Sequence, residues 1–263
     1  MSALLFLTVK KAKNRIKEML HRPSELVIAV IFIALLVMNL VTAGQGGTEY
    51  PRRDINEFYA IVFGVYALVF LLSAKTGFVN GASMFSMADV NLLFTAPFPQ
   101  KRLLSYGLLS QLGRSLVIGV FLVYQYPLLN DIYAIKFWQL LVCLVGYGVT
   151  VFLSQMLAML IYSVTASDDR KCRIGKILFY GISAAFLVYL GLTAYNMKGE
   201  LLSNVVAASG GFVMNFFPIA GFVKLCVVGL ISGNMLHFAA GLICIAAFVA
   251  LYYILVSVIN ADY

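Results

Sequence analysis

Two histidines, four cysteines and one arginine within an apolar stretch are the side chains of this chain from which chemistry could be built. His21 lies in a basic segment and His237 near one end of a long apolar run, with no H-E-x-x-H pattern between them. A metal site gathers three or four such ligands, so lone histidines here read as interfacial hydrogen-bonding residues, and no metal is expected. Cys143, Cys226 and Cys244 sit in apolar stretches and Cys172 in a polar connection. Their spacing matches neither a metal site nor a disulfide framework, and they read as small buried hydrophobes. No paired carboxylates fall within an apolar run, and no G-x-x-x-x-G-K-[ST] phosphate loop is present. The expectation is therefore no catalytic residue and no cofactor.

One charge stands out against its surroundings. Arg114 lies in an apolar run with Gln111 one turn before it, and Gln155, Ser154 and Thr150 in another run could partner it. Charges at membrane depth face a cavity or a partner, which makes Gln111, Arg114 and Gln155 candidate pathway or interface groups. Two plainer readings stay open. Arg114 could snorkel to the headgroups, and polar side chains also join helices without lining any pathway.

The elements that must position these residues are membrane helices. The chain is 62% hydrophobic and 11% charged, with mean hydropathy +0.94, against a charged share of about 25% in soluble domains. A span takes about 20 predominantly apolar residues, and six segments meet or approach that: 26–41, 58–74, 103–126, 137–164, 177–195 and 238–259. Backbone amides in lipid must be satisfied within the segment, so the spans are helices. The expected fold is all-α, a single transmembrane domain over residues 1–263.

The net charge of +8 follows the membrane rather than a nucleic acid. Thirteen basic residues fall before the first span, between the second and third, and between the fourth and fifth; five fall in the alternate connections. Positive loops stay cytoplasmic, so both termini are expected inside, and no nucleic-acid partner is expected. Residues 1–23 contain an amphipathic helix, with Lys10, Lys11, Lys13, Arg15 and Lys17 on one arc and Val9, Ala12, Ile16, Met19 and Leu20 on the other. Such a helix lies in the headgroup plane of the lipid bilayer; a plain topogenic charge cluster fits the same residues. On the outer side, Asn130-Asp131 reads as a turn, and Asp168 to Lys176 as a charged inner loop. Residues 200–234 are broken by Ser209-Gly210-Gly211 and by Pro218. Short apolar pieces suit a re-entrant segment better than a span, and a full crossing would place Lys224 in lipid.

The inner connection at residues 83–97 reads as a capped helix. Ser86 and Asp89 have the spacing of a capping box, Val90, Leu93 and Phe94 form an apolar patch, and Pro97 ends the helix. The stiff Pro97-Phe98-Pro99 could transmit force to the next span; an interfacial helix packed under the bundle is the alternative. Asp89-Val-Asn91-Leu-Leu-Phe-Thr-Ala-Pro97, followed by Lys101-Arg-Leu-Leu-Ser-Tyr-Gly107, resembles the segment between the second and third helices of ABC exporter permeases, in the type-2 superfamily of ABC transporter membrane subunits. The likeness is specific over residues 86–107 and generic over the rest. It implies that Ser86, Asp89, Val90, Asn91, Leu93, Phe94, Thr95 and Pro97 form a coupling helix docking into a separate ATP-binding ABC ATPase subunit. It further implies a second permease half, identical or not, in a bacterial cell membrane. A half-size subunit and the N-terminal half of a larger member both fit. An ATP-independent carrier or channel is the competing function, although carriers show paired helix breaks in two repeats and no repeat is visible here.

Overall fold

The computed structural model describes residues 51–79, 119, 123–165, 169–197 and 201–261, with Lys10, Lys13, Asn14, Lys17, Ala34, Val37 and Met38 as single positions. Among the described residues the chain is all-helical. Seven α-helices follow in order: α1 (Ile55–Val79), α2 (Tyr126–Tyr133), α3 (Phe137–Thr165), α4 (Asp169–Asn196), α5 (Leu201–Ser209), α6 (Ala220–Ser232) and α7 (Met235–Ala261), with a 3-10 turn at Val213–Phe216.

Four of these are long and apolar enough to cross a membrane: Ile55–Phe78, Phe137–Val164, Cys172–Asn196 and Met235–Val256. Even the 22-residue segment of α7 extends roughly 33 Å at 1.5 Å per residue, against a hydrocarbon core of about 30 Å. They fall on the second, fourth, fifth and sixth spans expected from sequence. The expected spans at 26–41 and 103–126 lie largely outside the described residues. So do the coupling-helix residues and both Gln111 and Arg114. Lys10, Lys13 and Lys17 are helical and exposed, in keeping with a basic helix face.

Local chemistry sets the helix starts. The Asp54 carboxylate accepts the Asn56 backbone N–H at 3.1 Å and its Nδ2 at 3.0 Å, capping α1. Those bonds hold the exposed Asp54 carboxyl below its ordinary value, led by the backbone one. Before α3, the Lys136 N–H donates to Gln139 Oε1 at 2.8 Å, the side chain reaching back as in a capping box. Asn234 Oδ1 accepts the Leu236 and His237 N–H groups at the start of α7.

Two connections differ from the sequence reading. Asn130 and Asp131 lie inside α2 and make no turn. Pro127 sits in the first turn of α2, where its missing N–H is no loss, and the helix ends instead at Ala134, left-handed with φ 53°. Residues 169–176 are likewise the first two turns of α4 and not a loop, because Lys and Arg are good helix formers.

Helices α1 and α3 run parallel and in close contact. Tyr66 Oη donates to the Cys143 carbonyl at 2.7 Å, and a Cβ on Gly77 would stand 2.7 Å from the Ala158 carbonyl oxygen. Helix α6 packs antiparallel on α7 through reciprocal glycines. A Cβ on Gly229 would stand 2.5 Å from the Phe238 nitrogen, and one on Gly241 would stand 2.8 Å from the Cys226 nitrogen. Small residues at such crossings let backbones approach where lipid offers no hydrophobic drive. Phe217, just before α6, packs on α1 and α4. Its ring, 2% exposed, packs edge-on against Phe63, Phe70 and Phe186, with centroids 5.2 to 5.8 Å apart, the favoured aromatic geometry.

Candidate functional site

Phe217 anchors the segment that builds a cavity. After it, Pro218-Ile219-Ala220 makes a γ-turn: the Ala220 N–H donates to the Pro218 carbonyl at 2.6 Å, and Ile219 takes φ 58°, ψ −61°. For a β-branched residue that conformation is strained and persists only where its surroundings over-determine it. Ile219 is fully buried, and Gly221 presses on the carbonyls of Met214 and Asn215, 2.7 and 2.5 Å from where a Cβ would stand. The turn fixes the start of α6 and with it the direction of Lys224.

Lys224 is 5% exposed in a helix otherwise made of apolar residues and glycine up to Ser232. An ammonium taken from water needs replacement partners. Its Nζ donates to the Ser209 carbonyl at 2.6 Å and to Asn215 Oδ1 at 3.3 Å, and lies 5.2 Å from the centre of the Phe63 ring. Ser209 ends α5, so the charge sits against the negative end of a helix dipole. Ring face and carbonyl together replace part of the lost hydration.

Around this ammonium opens a cavity of about 620 Å³, within the size range of small-molecule sites. It is walled by the first turns of α1, by α5, by α6 and by the start of α7. Ala60, Val206, Ala207 and Val228 line part of the wall, and Asn56, Ser203, Ser232, Asn234 and His237 give it a polar rim. Two carboxylates also line it. Asp54 is held by Asn56, and Glu57 pairs with Arg53 at 3.6 Å. Beside them, burial first and the Glu57 charge second raise the Tyr133 hydroxyl above its ordinary value.

Gln155, the one candidate pathway residue among those described, is elsewhere. It is buried between α1 and α3, its Nε2 3.5 Å from Ser73 Oγ. The Thr150 hydroxyl turns back on the Gly146 carbonyl at 2.9 Å, while Ser154 Oγ is buried with no hydrogen-bond partner among the described residues. Gln155 thus reaches from α3 to α1 and does not line the cavity. The cavity itself was missed from sequence, although Lys224 in an apolar run was its visible signal.

The chain matches, over residues 1–263, the family model described as Putative ABC exporter. No curated protein and no solved structure matches it.

Proposed function

The chain belongs to the ABC exporter family, and on that premise we propose that it is the membrane-spanning permease subunit of an ATP-driven exporter. The family match along the whole chain carries this reading, and four helices of spanning length and composition are in keeping with it. Six spans, both termini in the cytosol and a re-entrant α5–α6 segment on the outer side complete the arrangement. In support, α6 has 13 residues, about 20 Å of helix, and is too short to cross. Helices α1, α3 and α7 would each run inward from capped outer ends.

ATP hydrolysis is assigned to an ABC ATPase subunit, in keeping with residues 1–263 having no phosphate loop. The segment from Ser86 to Thr95 docks into that ATPase and leads through Pro97 and Pro99 to the third span. A push there would reach α1 at its inner end, where Gly77 and Ala158 hold α1 and α3 in backbone contact. Rigid, closely packed helices transmit displacement instead of absorbing it. A second permease half, the same chain or another, closes the pathway.

Purification of the tagged chain from its native membrane in mild detergent tests the assignment. An ABC ATPase carrying the G-x-x-x-x-G-K-[ST] loop should accompany it. A chain that transports after reconstitution alone, without ATP, would instead be a carrier.

A further inference from the structure

Lys224 has three ammonium protons to place, and the described residues provide two hydrogen-bond acceptors, both uncharged. No carboxylate among the described residues lies within ion-pair distance of it. The two that share its cavity are committed to Asn56 and Arg53. A buried positive charge is therefore held against the wall of a cavity of about 620 Å³ with neutral neighbours on the protein side. The apolar lining beside it, from Ala60, Val206, Ala207 and Val228, suits the non-polar part of a small molecule. The rim adds neutral polar groups on Asn56, Ser203, Ser232 and Asn234. A few polar groups converging on one charge within an apolar wall are what orients a small ligand.

We propose that this cavity binds an anionic head group, a carboxylate or phosphate with an apolar portion, seated against Lys224. The carboxylates of Asp54 and Glu57 cluster near the start of α1, whereas Phe63, whose ring faces Lys224, lies six residues past Glu57, roughly 9 Å along the axis. A compact monoanion fits that arrangement, and a long polyanion would run back into the acidic end. Placement of the cavity on the outer face rests on the orientation proposed above; its chemistry does not. A purely structural role for Lys224, tying the end of α5 to α6, is the competing account.

The two accounts separate in the full-length chain in phosphatidylcholine nanodiscs, where both faces are open. A cysteine at Ala207→Cys, over the background of the native thiols, is labelled with an anionic sulfonatoethyl and a cationic trimethylammonium-ethyl methanethiosulfonate. Relative to free cysteine, the rate ratio should favour the anion on the order of tenfold, the low end of what a charged cleft does to local ion concentration. Butyl phosphate or hexanoate should slow labelling. Phosphatidylglycerol in place of part of the lipid, with no solute added, asks whether a lipid head group does the same. Protection by the solutes alone assigns a soluble ligand, and protection by the lipid assigns a head group.

Asn215→Asp then gives Lys224 an internal counter-ion at the same 3.3 Å acceptor position, keeping the tie to α5. It should abolish both the anion preference and the protection, as should Lys224→Met if that variant folds. Absence of anion preference or protection in the unsubstituted background, or protection unchanged in Asn215→Asp, would overturn the proposal. Neither outcome bears on ATPase coupling, which is tested separately.

Discussion

Substitution of Gly229 by alanine should loosen the α6–α7 hairpin, and the same change at Gly191 should not. At Gly229 the added Cβ would stand 2.5 Å from the Phe238 nitrogen and 2.9 Å from its Cα. Both atoms are backbone, so no side chain can swing aside, and the helices must part by several tenths of an ångström. The reciprocal contact at Gly241 is stretched with them. Overpacking of this kind costs about 1–3 kcal/mol, offset by about 1 kcal/mol from replacing a helical glycine. The net is a loss of up to about 2 kcal/mol, or up to about 4–8 °C in Tm for a domain of this size. A Cβ at Gly191, in the last two turns of α4, has nothing within 4 Å, so only the gain remains. Thermal unfolding of both variants in one detergent, followed by tryptophan fluorescence, measures the difference. Gly229→Ala as stable as Gly191→Ala would refute the close hairpin.

Tyr66→Phe removes the bond to the Cys143 carbonyl and should cost about 0.5–1.5 kcal/mol; in that background Gly146→Ala should be less damaging, because its Cβ would otherwise stand 2.5 Å from the Tyr66 hydroxyl. Additive losses in the double variant would mean the hydroxyl is not where the added methyl needs to be. If Arg114 faces the pathway, Arg114→Lys should impair transport while the complex still assembles, since lysine cannot copy planar bidentate contacts; normal transport would leave it a snorkelling residue. Single cysteines in residues 44–54 and 196–215 should react with an impermeant thiol reagent from outside, and one at Asp262 should not. Labelling of Asp262 from outside would require a seventh crossing.

Much of this architecture is legible because membrane helices announce themselves by length and apolarity alone. Phe137–Val164 was bounded to the residue, since Lys136 and the charged stretch from Asp168 bracket a run with no charge. Polarity was the weaker guide to what happens between spans. Asn130-Asp131 has turn chemistry, yet Pro127 at a helix start outweighs it. The basic residues from Arg170 to Lys176 look like a loop, but Lys and Arg are good helix formers and continue α4 to Asp169. The cavity was illegible for a different reason. Lys224 meets Ser209, Asn215 and Phe63, and only the γ-turn at Ile219 and the parallel seating of α1 bring these together. No periodicity in one strand of sequence encodes such a meeting. Gln155 shows the converse: its polarity was visible, but its contact with Ser73 depends on the register between α1 and α3.

ATP turnover by the purified complex, with and without Phe94→Ala, tests the central claim most directly. The apolar patch of Val90, Leu93 and Phe94 would seat in the ATPase groove, and a buried interface aromatic often contributes about 2 kcal/mol or more. The expected result is an ATPase that dissociates from the variant about thirtyfold more readily, or stays bound and hydrolyses ATP without transport. Unchanged assembly, turnover and transport in Phe94→Ala would contradict coupling through this segment.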